Sequence, residues 1–103
     1  MQVYTAAQLE ALTAGIFEGY GAPSDIAAHV ARSLVESNLM GHDSHGILRV
    51  LQYVESIEKG GLAPAARPSV LKETPTTATI DGNWAFGQVT ARYATEVAIE
   101  KAR

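Results

Sequence analysis

The sequence predicts an α+β chain, with an N-terminal three-helix bundle followed by a short β segment and a further helix. Three observations predict it. Apolar residues recur at helical spacing through three consecutive segments, closed by Gly19-Tyr20-Gly21, Gly41 and Gly60-Gly61. The texture changes at Leu62, where Ala63-Pro64-Ala65-Ala66-Arg67-Pro68 reads as a connector, because each proline pushes the preceding residue toward extended geometry. Beyond it, β-branched residues gather in two short runs before the helical period returns near Gln88. The chain therefore divides into a bundle over residues 1–61 and a mixed segment over residues 62–103.

In the first helix, Thr5 and Gln8 have the spacing of a capping box, and Leu9, Leu12, Ile16 and Phe17 form its stripe. Pro23-Ser24-Asp25 opens the second, with Ser24 as N-cap and Ile26, Val30, Leu34 and Val35 facing inward; Ala27 and Ala31 allow close helix approach. His29 within it is expected to be structural. A third helix is expected from about Ser44 to Lys59, burying Leu48, Leu51, Val54 and Ile57. Val70 to Glu73 and Thr77 to Asp81 read as strands, and Asp81-Gly82-Asn83 as a turn. Trp84 and Phe86 are expected to anchor the core, ahead of a last helix marked by Val89, Tyr93, Val97 and Ala98. Two short strands do not make an independently stable sheet, and the last helix reaches Arg103 without a stop signal, so the chain reads as cut off.

Composition excludes several classes. A net charge of −3 leaves no basic footprint, so no nucleic acid partner is expected. The absence of cysteine removes disulfide and thiol chemistry. Met1-Gln2-Val3-Tyr4-Thr5 lacks a basic leader, and no apolar run has membrane-spanning length; a cytoplasmic protein without a membrane partner is expected.

The chemistry is concentrated in Gly41-His42-Asp43-Ser44-His45-Gly46-Ile47-Leu48-Arg49. If Asp43 or Ser44 caps the third helix, His45 lies in its first turn and Arg49 one turn on, both on one face. An arginine holds a carboxylate by two parallel hydrogen bonds, and an imidazole with an ordinary pKa of about 6.5 exchanges protons with a neighbouring oxygen. That combination suits 2-oxo or 2-hydroxy acids. Spacing alone leaves other readings open: His45 as a cap or surface group, and Arg49 as a solvated residue paired with Glu36 or Glu55. No metal site is expected, since His42, Asp43 and His45 are too close in sequence to converge on one ion and lack a further ligand. For the same reason Asp43, Ser44 and His45 are not a hydrolytic triad. Neither G-x-G-x-x-G nor a phosphate loop is present.

The run Glu36-Ser37-Asn38-Leu39-Met40-Gly41-His42-Asp43-Ser44-His45-Gly46-Ile47-Leu48-Arg49 resembles the N-terminal signature of the type 2 malate/L-lactate dehydrogenase family, which includes ureidoglycolate and sulfolactate enzymes. The resemblance continues through Tyr53, Gly60-Gly61, Pro64, Pro68, Thr79-Ile80-Asp81-Gly82 and Phe86-Gly87-Gln88. It implies an oxidoreductase that uses NAD or NADP to transfer hydride at C2 of a 2-hydroxy or 2-oxo acid. The family's proton donor/acceptor falls on His45 and its carboxylate-binding arginine on Arg49, while Ser44 falls where the family's site approaches substrate and nicotinamide. The resemblance also implies a homodimer, a cofactor fold other than the usual dinucleotide one, and cofactor contacts mostly beyond Arg103. Residues 62–103 then open a larger mixed α/β domain, and the isolated 103-residue chain is expected to be inactive. The reading from a different class is a non-catalytic helical protein-interaction module; a third is a regulatory domain that binds acids through Arg49.

Overall fold

Thr5 opens the first helix, α1 (Ala6–Gly19), with the predicted reciprocal cap. Its N–H donates to Gln8 Oε1 at 2.8 Å, and its Oγ1 accepts from the Gln8 N–H at 3.1 Å. The structure is a computed structural model that describes residues 3–103; Met1 and Gln2, part of the stretch read for a leader, lie outside the described residues. After α1 come α2 (Ser24–Leu39), a 3-10 turn (Asp43–His45), α3 (Arg49–Glu58), β1 (Ser69–Glu73), β2 (Ala78–Asp81) and α4 (Gly87–Ala102). No helix among the described residues is long and apolar enough to cross a membrane.

The first three helices end alike. At the end of α2, the Gly41 N–H donates to the Asn38 carbonyl at 3.0 Å and the His42 N–H to the Ser37 carbonyl at 2.8 Å. This paired closure needs a left-handed residue, and Gly41 supplies it at φ +83°. Gly21 and Gly60 close α1 and α3 by the same bonds. Start signals were less faithful. Ser24 is not an N-cap but the first residue of α2, because Pro23, at φ −59° and ψ 153°, already provides the non-helical residue that precedes a helix.

The core lies between α1 and α2 and is closed by α3 and by the segment after the hairpin. From α2 it takes Ile26, Ala27, Val30 and Leu34, all buried as the spacing predicts, and from α1 Phe17. Leu12 of the expected α1 stripe is exposed instead. Phe86, directly before α4, is buried against Phe17 with ring centroids 5.1 Å apart and against Tyr53 of α3 at 5.9 Å, both edge-on with planes at 62° and 66°. Trp84 is not a core anchor. It is 78% exposed, because both Asn83 and Trp84 adopt left-handed backbone (φ 54° and 63°) that lifts the chain away from the core before Phe86 re-enters it.

The third helix departs most from expectation. It begins at Arg49 rather than near Ser44, and the later start changes its buried face. Val50 is buried and Tyr53, Val54 and Ile57 pack against the core, whereas Leu48 and Leu51 are 73% and 80% exposed. The hairpin pairs Ser69 with Asp81, Val70 with Ile80, Lys72 with Thr79 and Glu73 with Ala78, leaving Leu71 as a bulge. Thr77 belongs to the turn, where its N–H donates to Thr74 Oγ1 at 3.0 Å. The molecule is elongated, 53 × 30 × 22 Å, with a radius of gyration of 15.0 Å. A compact domain of this length would have about 13 Å.

Polar ties join the two halves. Arg67 of the connector grips Asp25 of α2 through two bonds of 2.9 Å, and these, more than charge alone, hold the Asp25 carboxyl below the ordinary carboxylate range. His29 of α2 meets the Gln88 carbonyl at 3.2 Å, and the Gln88 amide donates to the Tyr53 hydroxyl at 3.0 Å.

Truncating the aromatic that joins these parts, Phe86→Ala, should lower unfolding free energy by about 3–5 kcal/mol in urea titration. The Asp25–Arg67 pair adds a pH dependence. A carboxyl with a lowered folded pKa stabilises the fold above its unfolded pKa of about 3.9, and that contribution disappears as pH falls through the folded value. Unfolding compared between pH 3 and pH 6 should show a stability gap between the native chain and Asp25→Asn that narrows toward the acid end.

Candidate active site

The loop between α2 and α3 is built around one side chain that sequence reading had not singled out. Asn38, in the last turn of α2, accepts the Ile47 N–H on Oδ1 at 2.8 Å and donates from Nδ2 to Asp43 Oδ1 at 2.8 Å. Only this amide orientation satisfies both partners, since an N–H needs an acceptor and a carboxylate a donor. Gly46 is buried directly beneath it, and a Cβ there would overlap the Asn38 carboxamide. These contacts explain the late start of α3. With the Ile47 N–H captured by Asn38, residues 43–45 take a tight 3-10 turn, with the His45 N–H on the His42 carbonyl at 2.9 Å. The helix then starts at Arg49.

His45 and Arg49 are therefore not on one face of one helix. His45 belongs to the turn and Arg49 is the first residue of α3, yet both meet through Ser44. The Arg49 Nε donates to the Ser44 carbonyl at 2.7 Å, and the Ser44 hydroxyl lies 3.1 Å from His45 Nδ1. Ser44 and His45 are exposed and Arg49 is half-buried. A hydroxyl can donate to Nδ1 or accept from it, so the contact serves either tautomer, and Nε2 has no hydrogen-bond partner among the described residues.

Arg49 pairs with neither Glu36 nor Glu55. Glu55 is bound to Lys59 at 2.6 Å, and the second anchor of Arg49 is Gln52, whose Oε1 accepts from Nη1 at 2.5 Å. Both acceptors on this guanidinium are neutral, and no carboxylate neutralises it among the described residues. With Nε and one N–H of Nη1 occupied, the N–H groups left for an incoming carboxylate are those of Nη2 and the second on Nη1. By contrast Arg67 and Arg92 are committed to Asp25 and Glu96. No group of three or more acidic, histidine or cysteine side chains arranged to hold a metal occurs among the described residues. His29 bridges α2 and α4, away from this loop.

Three findings connect this geometry to known proteins. The sequence profile of the malate/L-lactate dehydrogenases matches residues 4–103. The chain belongs to that family. Among relatives of this dehydrogenase family, it is 38% identical over 88 residues to the L-sulfolactate dehydrogenase of Methanocaldococcus jannaschii, covering 85% of this chain and 26% of that protein. It is 38% identical over 99 residues to hydroxycarboxylate dehydrogenase B of Escherichia coli O157:H7, covering 96% and 27%. Among solved structures, the sulfolactate dehydrogenase of Methanocaldococcus jannaschii superimposes with a TM-score of 0.94 at 34% identity, over 98% of this chain and 29% of that one. The four helices and the hairpin thus resemble the N-terminal part of these dehydrogenases. The chain spans about a quarter of the length of the curated relatives it matches.

Sequence reading missed Asn38 and Gln52. The available signal was a carboxamide in the last turn of α2, directly before a chain reversal. Gly46→Ala should displace the Asn38 carboxamide and lower stability by about 1–3 kcal/mol in urea denaturation, as overpacking of a buried site does.

Proposed function

We propose that this chain carries the acid/base and carboxylate-binding residues of a dehydrogenase acting on 2-hydroxy and 2-oxo acids with NAD or NADP. One observation carries the reading: an arginine held only by neutral acceptors shares a single residue, Ser44, with an exposed histidine. A guanidinium fixed in this way keeps its charge for a ligand. Arg49 would bind the substrate carboxylate end-on, orienting the neighbouring C2 oxygen toward His45. His45 Nε2 would give a proton to that oxygen in reduction and take it back in oxidation. Ser44 would hold Nδ1 through both states, its hydroxyl oxygen accepting from the Nδ1–H of the protonated ring and of the neutral tautomer whose Nε2 is free to take the proton back.

Hydride is the chemistry of the nicotinamide. The described residues carry an antiparallel hairpin, the usual dinucleotide fold being one the family does not use, and are read as leaving the cofactor contacts mostly to the chain beyond Arg103. No contact to the cofactor is therefore assigned to them. Residues 62–103 are read as the beginning of a larger α/β domain, and the whole protein as a cytoplasmic homodimer without nucleic acid or membrane partners. Substrate class rests on the family and on the N–H groups left on Arg49.

The test is the intact protein containing this segment, assayed for NADH and NADPH oxidation with a panel of 2-oxo acids. His45→Ala should lower kcat at least about a hundredfold. Arg49→Lys, which keeps the charge and loses the planar fork, should raise KM for the acid at least about tenfold. Near-normal turnover of His45→Ala would remove the acid/base role.

A further inference from the structure

We infer that Asn38 is a positioning residue, fixing His45 by tethering the chain on both sides of it. The inference rests on the acid/base reading of His45 and extends it to a residue that touches neither the imidazole nor a substrate. The two tethers bracket the histidine. Asn38 Nδ2 holds Asp43, two residues before it, and Asn38 Oδ1 holds the Ile47 N–H, two residues after it. The ring itself has one fixed contact, to the hydroxyl of its own neighbour Ser44, whose carbonyl is tied by Arg49 to α3 but not to α2.

The surroundings leave Asn38 as the side chain that locates this turn against α2. Asp43, Ser44 and His45 are all exposed, so packing does not hold them. Gly46 is buried because it sits under the Asn38 carboxamide, at a distance that admits no side chain. Asn38 is anchored in turn by helical backbone whose closure at Gly41 is itself hydrogen-bonded, with the Gly41 N–H on the Asn38 carbonyl. Arg49 is placed differently: it belongs to α3, which Val50 and Tyr53 seat on the core. Loss of the tethers should therefore move the proton-transfer group more than the carboxylate anchor. A displacement of about 1 Å at a reacting group is enough for large losses in rate.

The experiment compares four variants of the intact dehydrogenase, with steady-state kinetics, thermal melting and hydrogen exchange over residues 43–47. Asn38→Ala removes both tethers. It should lower kcat at least about tenfold, raise KM less than about threefold, and speed exchange at the Ile47 amide. The swap N38D/D43N keeps both bonds with the pair reversed: one carboxylate oxygen accepts the Ile47 N–H and the other accepts from the new amide at 43. It should recover most of the lost kcat and the protection, which a merely structural effect of the alanine change would not require. Asp43→Ala, at an exposed position, removes one tether and keeps the test open if Asn38→Ala does not fold; its kcat should fall at least about threefold.

His45→Ala in the same series separates the two readings. If it abolishes turnover while Asn38→Ala and Asp43→Ala keep kcat within about twofold of the native enzyme, the positioning role is overturned and the acid/base role stands. A swap that restores protection without restoring kcat overturns it equally. If His45→Ala itself turns over normally, the acid/base reading fails and the positioning role falls with it.

Discussion

The contact between Phe86 and Phe17 is the constraint on which the rest of the arrangement depends. Phe86 follows a hairpin and a left-handed turn, and it is the residue by which the second half of the chain enters the core of the first. Around it, the connections between the halves include exposed polar contacts such as Arg67 on Asp25 and Arg92 on His29. Exposed pairs of this kind contribute little to stability, so burial of one phenyl ring outweighs them. The same ring touches Tyr53, and Tyr53 lies one turn from the start of α3. The aromatic contact thereby sets the seat of the helix whose first residue is Arg49, and a packing interaction is tied to the placement of a charged one.

How much was legible depended on how local the cause was. The Thr5–Gln8 cap and the glycine closures at 21, 41 and 60 involve residues close in sequence, and the chain forms them as read. The stripe on α2 was legible for a similar reason, since nothing interrupts its period. The start of α3 was not, because the competing interaction comes from Asn38, nine residues before the Ile47 amide that it captures. With the start moved, Leu48 and Leu51 lost the core to Val50 and Tyr53, which the same period accommodates in a different phase. The exposure of Trp84 was hidden too, because left-handed geometry at two successive non-glycine residues has no clear sequence signature.

At the site, residue types were readable and geometry was not. His45, Arg49 and Ser44 stood out by chemistry and by resemblance, and the structure joins them, but through the Ser44 backbone and hydroxyl rather than across a helix face. What distinguishes Arg49 from Arg67 and Arg92 could not be seen in the sequence. Those two satisfy carboxylates of their own chain, whereas Arg49 is held by a carbonyl and a carboxamide. Such acceptors orient a guanidinium without cancelling its charge, which leaves that charge available to an incoming anion. Membership of the malate/L-lactate dehydrogenases gives the arrangement its context, over about a quarter of the length of the relatives.

Trp84 has a practical consequence. It is the chain's sole tryptophan, and it stands in solvent on a left-handed turn while the folding core is built of phenylalanine and tyrosine. Its indole emission therefore starts from a water-like environment and has little further to shift when the core melts. The signal most often used to follow unfolding would here be nearly silent, and circular dichroism of the helices is the better probe. The same indole becomes an optical sensor of association, because whatever covers that turn must change the polarity around it while leaving the core untouched.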